Sequence, residues 1–214
     1  MIIFDLETTG VDVYSAEIIT GHFISVNSDH SIKSEYELKC NPVKWSFEAE
    51  KVHGITRETA STYLPFKSQA NDLMLWINSQ EAKEIWQHTN ASMFGKLTFF
   101  DYSVLKMNMY DYDISSYFNL LKLRPYSTHT LAKILQSRYN FEGLKLNLIC
   151  KELGIKLTHH DAKSDAYACL EIIKQLRHLV SEEDIIKHER GVTNESEEPS
   201  SNNPIKPRKR KSIN

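Results

Sequence analysis

The chain has 214 residues, of which 41% are hydrophobic and 25% are charged, and its formal net charge is −2 at pH 7. This composition predicts one globular domain with a sizeable core and excludes a global electrostatic attraction to nucleic acid. Three cysteines far apart argue against a disulfide framework and structural zinc, and the lack of a long apolar run or signal-peptide pattern predicts a cytoplasmic protein with no membrane partner.

The first ten residues place two carboxylates inside an apolar strand. The run at residues 2–4 is typical of a strand buried on both faces, and Asp5 and Glu7 interrupt it. Residues two apart in a strand point to the same face, so these acids would project side by side. Paired acids are costly to desolvate unless a cation such as Mg²⁺ or Mn²⁺ is present. A polar turn at residues 7–10 after an ordinary strand is the alternative.

Hydrophobic periodicity predicts the remaining elements. Alternation predicts strands at residues 17–26 and 32–39, which would form an antiparallel meander with the first strand. Further strands at residues 84–88 and 114–118 would complete a five-stranded sheet. Apolar residues at helical spacing predict helices over residues 47–53, 65–78, 102–109, 131–139, 146–153 and 162–180. This order of elements predicts an α/β layered domain with a mixed sheet.

The composition changes near residue 181, where an acidic stretch precedes Pro-, Ser- and Asn-rich sequence and a basic end at residues 206–211. We therefore predict a domain over residues 1–180 and a disordered tail over residues 181–214. The basic end is either a solvated block of like charge or a contact for a nucleic-acid backbone, which the acidic stretch would partly offset.

A second chemically informative stretch lies at the start of the last predicted helix. Asp165 lies in its first turns, where the helix dipole favours a carboxylate, and His160 lies on the preceding loop. A base and a metal ligand can then share one site, although each residue alone is also compatible with an ordinary surface position. A third acid, Asp101, would open a helix after an apolar segment, where an N-cap role is the alternative.

Four segments, in this order, resemble the motifs of a nuclease family. Residues 4–10, Phe100-Asp101 with Leu105, and His160-x-Ala162-x-x-Asp165-Ala166 resemble the three motifs of the DnaQ-like 3′→5′ exonucleases, the histidine subgroup of the DEDD superfamily. The fourth segment, Val52-His53-Gly54-Ile55-Thr56, resembles the one that lines the opening of the family's site. The motifs together span residues 1–179, which is nearly the whole predicted domain.

The resemblance implies a ribonuclease-H-like three-layer fold with a mixed five-stranded sheet. It implies that two divalent ions, Mg²⁺ or Mn²⁺, are bound by Asp5, Glu7, Asp101 and Asp165. It also implies that His160 is the general base that takes the proton from the attacking water. Asp5 would be shared by both ions.

By the same resemblance, the residues expected to bind substrate are Thr8, Thr9, Gly10, His53 and Ile55. The expected reaction is hydrolysis of nucleotides from the 3′ end of DNA, at single-stranded or frayed ends. Replication or repair proteins are candidate partners. Two alternatives stay open, because the same motifs serve exoribonucleases and oligonucleotide-degrading enzymes, and the fold could also serve as a non-catalytic nucleic-acid-binding module.

The sequence departs from the family pattern at two places. The family usually has His-Asn a few residues before the third acid, whereas here His88-Thr89-Asn90 is separated from Asp101 by an insertion at residues 92–100. Many relatives have Asp-Thr-Leu before the next helix, where this chain has His129-Thr130-Leu131. The first departure moves Asp101 away from the family's usual spacing.

Overall fold

The computed structural model describes residues 1–88, 92–93, 96–97, 99–112, 117–158 and 160–189. The strands are β1 (Ile2–Thr8), β2 (Ile18–Val26), β3 (Ile32–Lys39), β4 (Glu84–Gln87), β5 (Ser92–Met93), β6 (Lys96–Leu97) and β7 (Arg124–Ser127). The helices are α1 (Phe47–His53), α2 (Arg57–Ser61), α3 (Phe66–Ser79), α4 (Phe100–Asp111), α5 (Tyr117–Leu120), α6 (Thr128–Tyr139), α7 (Leu146–Leu153), α8 (Ala162–Leu176) and α9 (Glu182–Glu189).

A mixed five-stranded sheet in the order β3-β2-β1-β4-β7 forms the centre of the domain. Strands β1, β2 and β3 pair antiparallel as the predicted meander, β4 pairs parallel with β1, and β7 pairs parallel with β4. The predicted mixed five-stranded sheet is therefore confirmed. Because β1, β4 and β7 run in one direction, their carboxyl ends lie at the same edge of the sheet, where α/β proteins commonly place their sites.

The fifth strand differs from the predicted one. The sequence predicts it at residues 114–118, but the structure forms it at Arg124–Ser127, and Tyr117 and Phe118 begin α5 instead. Residues 113–116 lie outside the described residues. Pro125 hides the true strand in the sequence, because proline donates no ladder hydrogen bond. It is tolerated here because β7 is an edge strand.

A helical layer covers each face of the sheet. On one face, Ile2, Phe4 and Leu6 of β1 pack into a core with residues of α3 and α4. On the other face, Ile3 packs into a core with residues of α6, α7 and α8. Strict alternation along β1 therefore directs Asp5 and Glu7 toward the face that α8 covers.

The folded domain continues past its predicted end. The sequence predicts disorder from residue 181, but Glu182–Glu189 forms α9, and its Ile185 is fully buried. Glu182 accepts a hydrogen bond from the Tyr126 hydroxyl at 3.0 Å and pairs with Arg124 at 3.2 Å. The acidic composition of this segment predicted disorder, and its contacts with residues far away in sequence could not be predicted. Residues 190–214, the rest of the predicted tail, lie outside the described residues.

The three cysteines, Cys40, Cys150 and Cys169, are free and buried. Burial raises the pKa of Cys40 and of Cys150 to about 12 and raises that of Cys169 well above its ordinary value. All three thiols therefore stay protonated and weakly nucleophilic at neutral pH. Within the described ranges, no helix has both the length and the apolar character needed to cross a membrane.

Candidate active site

A cavity of about 620 Å³ opens at the carboxyl ends of β1 and β4. Besides the exposed Asp12, four acids from three elements line it, namely Asp5 and Glu7 on β1, Asp101 on α4 and Asp165 on α8. All four are buried, with exposed fractions of 9%, 8%, 5% and 5% in that order. The fold thus brings together in one cavity the acids that the sequence analysis selected from three distant segments.

His160 stands beside these acids on the loop before α8. Its backbone has φ 63°, a left-handed conformation that is uncommon outside glycine. Its N–H donates to Oδ2 of Asp165 at 3.3 Å, which ties the loop to the helix. Glu7, His160 and Asp165 each offer a ligand atom, and these atoms all lie within 4.8 Å of one another. His159, the neighbouring histidine, lies outside the described residues.

Burial and the charges of neighbouring acids raise the pKa of each of the four buried acids. Burial is the largest cause for Asp5, whose pKa lies well above its ordinary value, and Asp101, Asp165 and Glu7 raise it further. The pKa is raised to about 8 for Glu7, about 8 for Asp101 and about 7 for Asp165. Carboxylates that resist ionising together in this way fit a hard divalent cation, because its charge offsets both the burial and the repulsion.

These pKa values predict how the stability of the metal-free domain depends on pH. A carboxyl whose pKa is raised on folding stabilises the folded state below its unfolded pKa of about 4, and this stabilisation is lost as the pH rises through its folded pKa. The folded values are about 8 for Glu7, about 8 for Asp101 and about 7 for Asp165. We therefore expect Tm in EDTA to fall as the pH rises from about 5 to about 8.

Added Mg²⁺ or Mn²⁺ is expected to restore Tm at the higher pH, because a ligand that binds only the folded state stabilises it. Thermal denaturation in EDTA and in each metal, at both ends of the pH range, tests this expectation. A Tm at pH 8 that neither metal raises would contradict a cation site among these acids.

The structure places Asp101 within α4 rather than before it. The N-cap of this helix is Phe99, so the alternative role of Asp101 as an N-cap is excluded. Part of the preceding insertion forms the antiparallel pair β5 and β6. His88 borders the cavity, and its Nδ1 lies 2.9 Å from the Thr128 hydroxyl, whereas Asn90 lies outside the described residues.

Four of the five predicted substrate-binding residues line one or both of two neighbouring cavities, and the fifth lines neither. Thr8 and Gly10 line the acidic cavity. Ile55 lines a neighbouring cavity of about 410 Å³, and His53 borders both. Thr9 lines neither cavity as the described part of the chain defines them, and its hydroxyl accepts a hydrogen bond from the backbone N–H of Glu17 at 2.9 Å.

His53 is oriented as a neutral hydrogen-bond donor. Its Nδ1 accepts from the backbone N–H of Ile55 at 3.0 Å, so the neutral ring carries its proton on Nε2. Burial lowers the pKa of His53, and His160 lowers it further, although Glu50 acts in the opposite direction. The Trp45 ring packs edge-on against the imidazole with centroids 6.4 Å apart. The Nε2–H can therefore serve an acceptor on a bound ligand.

The apolar residues that line the cavity wall include Val11, Ala49, Val52 and Phe100. Val52 and Phe100 belong to two of the segments that resemble the family's motifs, whereas the sequence analysis missed Val11 and Ala49. An apolar residue at a cavity wall has the same sequence pattern as one in the core. These side chains give the acidic cavity an apolar wall.

Comparison with known proteins supports a nuclease fold. The family model RNase_T, described as an exonuclease, matches residues 2–173. No curated protein matches the sequence. A structure of exonuclease I superposes with a TM-score of 0.68 at 16% identity, covering 83% of this chain and 41% of the other.

Two further exonuclease I structures show the same relation. The Escherichia coli enzyme in complex with a dT13 oligonucleotide has a TM-score of 0.66 at 16% identity, covering 83% of this chain and 41% of that one. The moderately thermophilic enzyme from Methylocaldum szegediense has a TM-score of 0.62 at 16% identity, with coverages of 81% and 40%. The chain thus spans about two fifths of the length of these proteins. The predicted ribonuclease-H-like α/β fold is confirmed.

Proposed function

The chain belongs to the RNase_T exonuclease family, and from this premise we propose that it is a metal-dependent 3′→5′ exonuclease that removes nucleotides from single-stranded DNA ends. The observation that carries the proposal is the convergence of four buried acids and His160 on one cavity. A module that only binds nucleic acid has no need to bury four mutually repelling carboxyls. A catalytic function therefore has stronger physical support than a function in binding alone.

The four carboxyls would hold two divalent ions, Mg²⁺ or Mn²⁺. Such ions, when bound, activate water and neutralise the leaving oxygen of a phosphodiester. Asp5 suits the position shared between them, because the charges of Asp101, Asp165 and Glu7 all act on its pKa. Glu7 and Asp165 suit the nucleophile side, since both lie beside His160. The E. coli exonuclease I complex with single-stranded DNA has a zinc-bound form, which supports a divalent ion as the cofactor to test.

His160 would act as the general base. It lies next to Glu7 and Asp165 and borders the acidic cavity, so its imidazole is placed to take a proton from a water held by these acids. Histidine is the side chain that most often serves as a general base in enzymes. Its own ligation of the metal is the competing role.

The acidic cavity would receive the terminal nucleotide. Thr8, Gly10 and the Nε2–H of His53 offer polar contacts for the sugar and phosphate, and the apolar wall at Val52 and Phe100 suits a base. Apolar contact to a base carries little sequence information, because every base has a π face. We therefore expect cleavage that depends weakly on sequence.

DNA is the proposed substrate, and RNA is the alternative. The E. coli exonuclease I complex contains the DNA oligonucleotide dT13, which supports DNA for a related site. RNA is distinguished at a given site by contacts to its 2′-hydroxyl. A structure of SSB with exonuclease I supports replication or repair proteins as the class of partner to test.

Oligonucleotides of one sequence, blocked at one end or the other, test the polarity and the sugar preference. We expect a 5′-labelled DNA strand to shorten from its 3′ end as a ladder, and a 3′-terminal phosphorothioate to stop this shortening. RNA of the same sequence should be degraded more slowly than the DNA. Release of nucleotides from the 5′ end would contradict the proposed polarity. Faster cleavage of RNA than of DNA would show that RNA is the preferred substrate.

Removal of the chain after Glu189 is expected to preserve catalysis and to weaken substrate binding at low salt. The basic residues at 206–211 can neutralise phosphates, and a lost phosphate contact lowers affinity in a salt-dependent way. The cut leaves α9 intact, whose Ile185 is buried. KM and kcat measured over a salt series, with the full chain as control, test the expectation. If KM depends on salt concentration equally in both proteins, the tail makes no phosphate contact.

A further inference from the structure

Gln87 makes a buried hydrogen bond to the helix that carries Asp101. It is the last residue of β4, and its side chain is fully buried. Its Oε1 accepts from the backbone N–H of Tyr102 at 2.7 Å. Tyr102 directly follows Asp101 in the first turn of α4. The bond therefore joins the carboxyl end of a central strand to the turn that presents the third acid.

The first N–H groups of helix α4 need a hydrogen-bond acceptor from outside the helix. The first N–H groups of any α-helix lack intrahelical partners, and a polar side chain at the N-cap usually satisfies one of them. The N-cap of α4 is Phe99, which provides no side-chain hydrogen bond. Gln87 replaces that missing cap from another element, 15 residues earlier in the chain. The insertion before Asp101 lies between the two bonded residues.

A second buried amide anchors the same helix farther along. Asn108 donates from Nδ2 to the carbonyl of Ala16 at 2.8 Å, and its Oδ1 accepts from the N–H of Ile18 at 3.3 Å. Ile18 is paired with Thr8, next to the irregularity that follows Glu7 in β1. Helix α4 is thus fixed at its start to β4 and near its end to the connection beside β1.

We infer that Gln87 is a positioning residue that sets the Asp101 carboxyl against Asp5 and Asp165. The inference rests on the proposed metal site, because Asp101 matters only if the four acids bind one set of ions. Without the Gln87 bond, the backbone next to Asp101 loses its acceptor on β4, while the Tyr102 hydroxyl bond to the Leu120 carbonyl and the Asn108 anchor still hold the helix in place. The acid would then remain in the cavity but lose its fixed distance to the other ligands.

Gln87→Met tests this role, because methionine has a similar size and its thioether sulfur is only a weak hydrogen-bond acceptor. We expect Mn²⁺ binding, measured by electron paramagnetic resonance of the free ion, to weaken about 10-fold, within the 10–100-fold range seen when outer partners of metal ligands are removed. The Mn²⁺ concentration that half-saturates cleavage should rise by a similar factor. Ile77→Val, in the core on α3, is the control for general destabilisation and should leave Mn²⁺ binding unchanged.

A double-mutant cycle with Asp101→Asn shows whether Gln87 acts through Asp101. We expect Gln87→Met to weaken Mn²⁺ binding no further once Asp101 has lost its charge. Wild-type Mn²⁺ binding by Gln87→Met, or an equal further loss in the Asp101→Asn background, would overturn the inference and leave the proposed function standing. A wild-type protein that binds no Mn²⁺ would overturn both.

Discussion

Asp5→Asn is expected to abolish nucleotide release, with the cleavage rate falling at least about 1,000-fold, since metal assistance supplies several kcal/mol and about 1.4 kcal/mol is a factor of ten. The charges of the other three acids all raise the pKa of Asp5, and we assign it to the position shared by both ions. An amide of the same shape removes the charge while leaving the packing of β1 unchanged. The loss would therefore report on chemistry rather than on folding.

The same variant should make the metal-free protein more stable. Burial and the charges of Asp101, Asp165 and Glu7 oppose ionisation of Asp5, so a neutral side chain relieves this repulsion at pH 8. We expect Tm in EDTA to rise by a few degrees, since 1 kcal/mol corresponds to about 2–4 °C in a domain of this size. Asp72→Asn, at an exposed position on α3, is the matched control and should change neither activity nor Tm appreciably. Full activity in Asp5→Asn would contradict the assigned role.

His160→Asn is expected to slow cleavage by about 100–10,000-fold, the usual contribution of a general base. Asparagine suits this test because it tolerates the left-handed backbone that His160 adopts, at φ 63°. The substitution removes the base without adding backbone strain. Mn²⁺ binding should stay within about twofold of wild type, because a base that only accepts a proton contributes no ligand bond.

His30 offers a matched control for His160. It has the same left-handed backbone, φ 63°, in the turn between β2 and β3. His30→Asn should leave the cleavage rate and Mn²⁺ binding unchanged. If His160→Asn instead abolished Mn²⁺ binding, the imidazole would be a metal ligand beside Glu7 and Asp165, and the role of general base would be wrong.

The sequence was most informative where a local pattern determined a local geometry. Alternation along β1 was enough to place Asp5 and Glu7 on one face, and the structure has them buried together on the α8 side of the sheet. The start of α8 was equally predictable from the sequence, since a helix that begins near Asp161 has Asp165 in its first turn. In both cases the backbone period fixes the direction of the side chain.

Contacts between distant segments could not be predicted in this way. The strand containing Pro125 was missed because its edge position depends on the order of the whole sheet. Helix α9 was missed because one of its acids, Glu182, is compensated by Arg124 and Tyr126 of β7. The position of Asp101 remained uncertain because the insertion removes it from the family spacing, whereas Gln87 holds it from another element.

The most direct test of the central claim is the cleavage of 5′-labelled single-stranded DNA by wild type and Asp5→Asn at equal protein concentration, with Mg²⁺, with Mn²⁺ and with EDTA. If the four buried acids form a metal-dependent exonuclease site, wild type with either metal yields a ladder that shortens from the 3′ end. Neither wild type in EDTA nor Asp5→Asn in either metal yields one. A ladder from wild type in EDTA, or an equal ladder from Asp5→Asn, would contradict the account.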